Sequence, residues 1–161
     1  MMKRLQSTLF ALVALAASGW AHAGDFFSDY DTAKKKAQEE NKPLLVKFTG
    51  SDWCPPCKKL DAGVFSKDAF KTAVEKDFVV AVLDFPRKKE LPEGQLKKNE
   101  AVRDEFGIRG YPTVLLIDQK GKVFKKMVGY GYTPEEGADK EAEVNAYLGG
   151  LKAALKSKSF L

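Results

Sequence analysis

Short apolar runs alternate with charged segments along the chain, and these runs predict four strands. Residues 44–49 and 78–83 have the length and apolar character of buried strands. Residues 113–117 and 123–128 flank the turn sequence DQKG and predict a hairpin.

The charged segments between these strands carry helix signals. Ser28 or Asp29 can cap a helix that must end before Pro43, and Ser66 can cap another. Thr133 is followed by one proline and two glutamates, as in a capping box. The predicted helices are 28–41, one beginning at Cys54 or Pro55, 66–76, 99–106 and about 133–156, with residues 85–98 as a surface loop. This order predicts an α/β sandwich in which helices flank a mixed central sheet.

The first 23 residues have a different character. Lys3 and Arg4 precede the apolar run 9–17 and the small-residue sequence Ala21-His22-Ala23, which together predict a secretory signal peptide cleaved after Ala23. The run is shorter than the roughly 20 residues that span a bilayer, although an uncleaved membrane anchor is the alternative. We therefore expect an exported chain whose domain covers residues 24–161, not embedded in a membrane once processed.

The amino-acid composition excludes several kinds of catalysis and binding. The 161 residues are 44% hydrophobic, enough for one domain with a core. His22 is the only histidine, so processing leaves no imidazole for Ser-His or Cys-His catalysis or for a histidine-ligated metal. Processing also lowers the formal net charge from +5 by two, and an exported protein with so small an excess is not expected to bind nucleic acid.

The two cysteines, Cys54 and Cys57, are the main chemical signal. A disulfide that closes so short a loop constrains the unfolded chain little, so a purely structural bridge is the weaker interpretation. At a helix start, free N–H groups and the helix dipole stabilise a thiolate, which makes Cys54 the expected nucleophile, assisted by Lys58. Cys57 would then resolve the mixed disulfide by attacking Cys54.

The same Cys-x-x-Cys spacing also occurs in metal and haem sites. A structural zinc site needs four cysteine or histidine ligands, whereas the processed chain has two cysteines and no histidine, which argues against such a site. Covalent haem attachment needs a histidine directly after the second cysteine, where this chain has Lys58, so it is excluded. Binding of Cu(I) by two thiolates stays open, with Met127 as the additional soft ligand. We expect no metal and no cofactor.

Two segments resemble the thioredoxin family. Residues 48–58 read FTGSDWCPPCK, like that family's active-site segment, and residues 110–113 read GYPT, like its conserved proline segment. The resemblance covers nearly the whole processed chain and is closest to the exported bacterial branch. It implies a thioredoxin-like fold, a periplasmic or otherwise exported location, and thiol-disulfide oxidoreductase activity. It also implies a cis Tyr111-Pro112 bond beside the cysteines, where the backbone of Tyr111 binds substrate.

The chain departs from that family in several places. Lys47 stands where many thioredoxins carry a buried aspartate that serves as proton acceptor for the second cysteine. We expect Lys47 to point outward, with a water or another carboxylate as the acceptor; the alternative is that a neutral Lys47 accepts the proton. Pro55-Pro56 replaces the commoner Gly-Pro and tunes the redox potential in a direction that sequence does not reveal. Trp53 and Tyr111 either line the active site or simply pack.

We therefore expect an enzyme that reduces or exchanges disulfides in exported proteins, acting as a monomer on protein or peptide thiols and disulfides. A reductant would need an electron donor, for which a membrane protein is the candidate. The alternative is a thioredoxin-like binding module whose cysteines form a regulatory or inert bridge. The basic residues Arg87-Lys88-Lys89 and Lys97-Lys98 are expected to form a solvated surface, the alternative being a docking site for acidic partners.

Overall fold

The computed structural model describes residues 26–131 and 139–158, and within these ranges four strands form one mixed sheet. The strand order is β2-β1-β3-β4; β1 runs parallel to β2 and antiparallel to β3, and β3 pairs with β4 as the predicted hairpin. The strands are β1 (Leu44–Thr49), β2 (Val79–Asp84), β3 (Thr113–Ile117) and β4 (Val123–Val128). The predicted mixed sheet is confirmed.

Five helices flank this sheet in the described part of the chain. The second helix continues through a π-helical turn over Asp61–Phe65. The helices are α1 (Tyr30–Glu39), α2 (Pro55–Leu60), α3 (Asp68–Asp77), α4 (Gln95–Glu105) and α5 (Lys140–Lys158). None of the described helices is long and apolar enough to cross a membrane.

The central strand β1 has helices on both sides, and its alternating side chains feed two separate cores. Leu44, Val46 and Phe48 pack against α1 and α4. Leu45 packs on the opposite face, against α2 and its π-helical turn, α3 and α5. Because both faces are covered, every residue of β1 is buried, which agrees with its nearly continuous apolar sequence.

Two predicted helix starts, those at Ser66 and Asn99, differ from the structure. Ser66 does not cap α3; its N–H donates to the carbonyl of Asp61 and closes the π-helical turn. The helix α4 begins four residues before Asn99, directly after Gly94, whose φ of 73° favours glycine. The helix α5 begins at Lys140, and the predicted cap at Thr133 lies outside the described residues, as does the predicted signal peptide.

Candidate active site

The two cysteines lie where β1 ends and α2 begins, and they are joined by a disulfide bond. Cys54 is the N-cap of α2, and its Sγ accepts the N–H of Cys57 at 3.3 Å. Pro55 and Pro56 occupy the first helical turn, where a missing N–H removes no helical hydrogen bond. The structure therefore describes the oxidised state of a Cys-x-x-Cys motif at a helix start.

The pair is almost enclosed. Cys54 is 3% exposed and Cys57 is fully buried, whereas Pro55, Pro56 and Lys58 are exposed at the surface around them. Cys54 is thus the more exposed residue of the two.

The loop between β1 and α2 is tied to the end of the neighbouring strand. The N–H of Cys54 donates to the carbonyl of Gly50 at 2.9 Å, closing a turn. Ser51 donates to Asp84 twice, from its N–H at 2.9 Å and from its hydroxyl at 2.7 Å. Sequence reasoning missed Asp84 because parallel strand pairing alone brings it to this loop.

Trp53 forms a wall beside the cysteines. Its indole Nε1 donates to the carbonyl of Phe85 at 2.7 Å, and its ring meets the ring of Tyr111 edge-on at 5.9 Å. The guanidinium of Arg87 lies 3.8 Å from the centre of the Trp53 ring, a cation–π contact. Trp53 is therefore packed into a polar and aromatic assembly rather than into the apolar core.

The Tyr111-Pro112 segment faces the same cysteine. Its peptide bond is cis, and the carbonyl oxygen of Tyr111 lies 3.7 Å from Sγ of Cys54. The Tyr111 ring packs 5.0 Å from Phe85. Burial raises the pKa of the Tyr111 hydroxyl, which the nearby Arg103 guanidinium opposes.

Lys47 is buried, so the expectation that it points outward is wrong. Only 1% of the residue is exposed; its ammonium group pairs with the carboxylate of Asp61 and lies 4.3 Å from the centre of the Phe65 ring. Burial lowers the pKa of Lys47, and the charge of Asp61 opposes this. A lysine is tolerated at this buried position because Asp61, at the end of α2, supplies a carboxylate counter-ion. The two residues lie in the lining of a cleft of about 400 Å³.

Asp52 is the second functional candidate that sequence reasoning missed. Its carboxylate accepts the backbone N–H groups of Arg87, Lys88 and Lys89 at 2.7–3.2 Å. Although desolvation would raise its pKa, these three donors lower it to about 2. No local sequence pattern predicts this contact, because Arg87 lies 35 positions after Asp52.

Within residues 26–131 and 139–158 no three His, Cys, Asp or Glu side chains lie close enough to hold a metal ion. The described site contains a cysteine pair joined by a disulfide, an adjacent backbone acceptor and aromatic walls.

Comparison with known proteins agrees with this site. A family model described as a thioredoxin-like domain matches residues 30–143. The chain is 32% identical over 130 residues to the disulfide bond reductase DsbH of Chlamydia pneumoniae, an alignment that covers 81% of this chain and 72% of DsbH. It is 29% identical over 103 residues to the thioredoxin-related protein DsbJ of the same organism, covering 64% of this chain and 30% of DsbJ.

A solved structure of DsbH oxidoreductase matches over 97% of this chain and 95% of that chain, with a TM-score of 0.68 and 27% sequence identity. Fold, cysteine motif and relatives thus agree. The chain belongs to the thioredoxin-like family, and it is a thiol-disulfide oxidoreductase.

Proposed function

We propose that this oxidoreductase works as a reductant of disulfides in exported proteins, with Cys54 as nucleophile and Cys57 as resolving cysteine. The observation that carries the proposal is the position of Cys54 Sγ, at the start of α2 and 3.7 Å from the carbonyl oxygen of Tyr111. The name of the relative DsbH, a disulfide bond reductase, supports the reductive direction.

In the proposed cycle the reduced enzyme attacks first through Cys54. Its thiolate forms a bond to one sulfur of the substrate disulfide, and the other substrate sulfur leaves as a thiolate that takes up a proton. The thiolate of Cys57 then attacks Cys54 Sγ and releases the second substrate thiol. Two electrons and two protons pass to the substrate, and the enzyme is left with the disulfide seen in the structure.

The surrounding residues have supporting roles in this proposal. The Tyr111 carbonyl and Pro112 form the groove in which the substrate chain lies, and Trp53 is the wall of that groove. Pro55 and Pro56 set the start of α2 and tune the redox potential. Lys58, exposed one turn beyond Cys54, favours the thiolate by its charge.

The proton of Cys57 requires an acceptor, and we assign Asp61 to this step. Asp61 lies four residues after Cys57, and its N–H donates to the Cys57 carbonyl, so the two side chains share one helix face. Lys47, paired with Asp61, would hold the carboxylate in place. An Asp61→Asn variant should then accumulate mixed disulfide during turnover near neutral pH, which mass spectrometry of acid-quenched samples would detect.

The cellular setting is also part of the proposal. Residues 1–23 would be removed as a signal peptide and residues 24–161 would act as a monomer in the periplasm or another exported compartment. Since the chain ends each cycle oxidised, it requires a donor of electrons, for which a membrane dithiol protein is proposed.

Insulin reduction tests the roles of the cysteines. Purified chain 24–161 with a chemical reductant is expected to reduce insulin, Cys54→Ser to be inactive, and Cys57→Ser to form trapped mixed disulfides with exported proteins. Val128→Ala, on an exposed residue of β4, is the matched control and should behave as wild type. If Cys54→Ser and wild type reduced insulin equally slowly, the chain would better fit the alternative of a binding module with an inert bridge.

A further inference from the structure

The basic loop after β2 is held against the active-site loop. The carboxylate of Asp52, two residues before Cys54, accepts the N–H of Arg87 at 3.0 Å and that of Lys88 at 2.7 Å. The ammonium group of Lys89 pairs with Asp84 at 2.7 Å, and Asp84 in turn holds the loop after β1. The position of Arg87 is therefore set by contacts on both sides, unlike that of a free surface loop.

A continuous set of contacts leads from Arg87 to the nucleophile. The Arg87 guanidinium stacks 3.8 Å from the ring centre of Trp53. Trp53 meets Tyr111 edge-on, and the carbonyl of Tyr111 lies 3.7 Å from Sγ of Cys54. A substrate chain lying along the Tyr111 carbonyl therefore passes close to the Trp53–Arg87 stack.

The guanidinium of Arg87 has no carboxylate partner among residues 26–131 and 139–158. Arg103, by contrast, pairs with Asp104 at 2.8 Å, and Lys89 pairs with Asp84. Stacking on a ring uses the face of a guanidinium and leaves its N–H edge available, and that edge matches the two oxygens of a carboxylate. Arg87 is exposed, so this edge is accessible from solvent.

Resting on the proposed function, we propose that Arg87, stacked on Trp53, binds an acidic side chain next to the reacting cysteine of a protein substrate. The occupant is a peptide segment in which an aspartate or glutamate lies within a few residues of the cysteine. Asp52 acts as a positioning residue, because it fixes the backbone that presents Arg87.

The recognition is local rather than a long-range attraction. Glu90 and Glu93 lie in the same loop as Arg87 and Lys88, so their charges partly cancel at a distance. A single correctly placed carboxylate of the substrate, by contrast, pairs directly with the preorganised guanidinium of Arg87, and this pairing does not depend on the net charge of the loop. We therefore expect selection among substrates, and this selection should weaken as the ionic strength rises, because the pair is exposed.

The test uses three synthetic peptides with the same disulfide loop, which carry glutamate, glutamine or lysine beside one cysteine. Wild-type chain 24–161 is expected to show a kcat/KM for the glutamate peptide about two- to fivefold above that for the glutamine peptide, the range of an exposed ion pair. Arg87→Gln should bring this ratio close to one. Arg87→Lys should restore part of it, and Asp52→Ala should lower it although Arg87 is still present.

Lys97→Gln, which removes an exposed positive charge on α4, is the matched control and should leave the ratio unchanged. A variant that merely disturbs the fold lowers kcat/KM for all three peptides alike and does not move the ratio. Equal ratios in wild type and Arg87→Gln, with all peptides reduced, would overturn the inference and leave the oxidoreductase function standing. Failure to reduce any of the peptides would instead contradict the proposed reductase function.

Discussion

Lys47 on β1 and Asp61 at the end of α2 form an ion pair whose two members differ sharply in exposure. The Lys47 side chain is 2% exposed, and that of Asp61 is 28% exposed. Water can therefore solvate the carboxylate when the pair is broken, but it reaches the Lys47 side chain very little. The two partners are not energetically equivalent.

This asymmetry predicts unequal costs of substitution. Asp61→Asn leaves a charged ammonium buried without its counter-ion and is expected to lower the free energy of unfolding by about 3 kcal/mol. Lys47→Met leaves a carboxylate that solvent reaches and should cost about 1 kcal/mol or less. Urea unfolding of the oxidised proteins, with Lys47→Met/Asp61→Asn to close the double-mutant cycle, measures both.

The deficit of Asp61→Asn should also depend on pH. Burial lowers the pKa of Lys47, so the folded state binds its proton less tightly than the unfolded state does. Asp61→Asn removes the charge that opposes this lowering, so the stability of the variant should rise with pH more than that of wild type, up to the ordinary lysine pKa of about 10.4, and the deficit should shrink over this range. A pH-independent deficit, or a larger cost for Lys47→Met, would contradict this account of the pair.

Gly50→Ala is expected to displace the Trp53 indole. An added Cβ would lie 2.7 Å from Nε1 of Trp53, too close for an ordinary contact. The hydrogen bond to the Phe85 carbonyl should be lost, with a cost of about 1–3 kcal/mol in the free energy of unfolding. Trp53 is the only tryptophan after residue 23, so the fluorescence of chain 24–161 reports this displacement directly.

Gly149→Ala is the matched control for that experiment. A Cβ at Gly149 meets nothing within 4 Å, and alanine is favoured over glycine inside a helix such as α5. It should leave Trp53 fluorescence unchanged and raise the free energy of unfolding by up to about 1 kcal/mol. Identical fluorescence of Gly50→Ala and wild type would argue against the described position of the indole.

The anchoring of the basic loop by Asp52 should be lost only in strong acid. The three backbone donors lower the pKa of Asp52 to about 2, against about 3.9 for an unfolded aspartate. The stabilisation is thus complete above about pH 4 and disappears as the pH falls through 2. Amide resonances of Arg87, Lys88 and Lys89 should follow that midpoint in an NMR titration, and Asp52→Asn should abolish the transition. A midpoint near pH 4 would mean that the hydrogen bonds do not form in solution.

Phe70 is expected to dominate the core between the sheet and α3. Its ring packs 4.7 Å from Phe65 and 5.8 Å from Tyr147, and it is fully buried. Phe70→Ala should lower the free energy of unfolding by about 3–5 kcal/mol, measured from the urea midpoint. Val128→Ala, at a residue that is 65% exposed, should change it by less than about 0.5 kcal/mol. Similar midpoints for the two variants would contradict this packing.

Features that depend on short-range pattern were predictable. The bounds of β1, β3 and β4 agree with the apolar runs, because burial requires apolar side chains wherever a strand lies. The position of the cysteines between β1 and α2 followed likewise from a strand pattern that runs into a proline-containing helix start. The start of α4 was less predictable, since Gly94 carries no capping side chain.

By itself, the sequence determined where most strands lie and that the cysteine pair stands at a helix start, because these features depend on short-range pattern, and the order of the elements then predicted the mixed α/β architecture. Only the tertiary structure decided that Lys47 is buried, that Asp52 holds the backbone of the basic loop, and that Arg87 stacks on Trp53. These contacts join residues 14 to 37 positions apart, between segments that strand pairing and helix packing bring together. The free-energy cost of burying a charge or fixing a loop depends on the residue that pairs with it, and in each of these contacts that residue lies outside the local sequence.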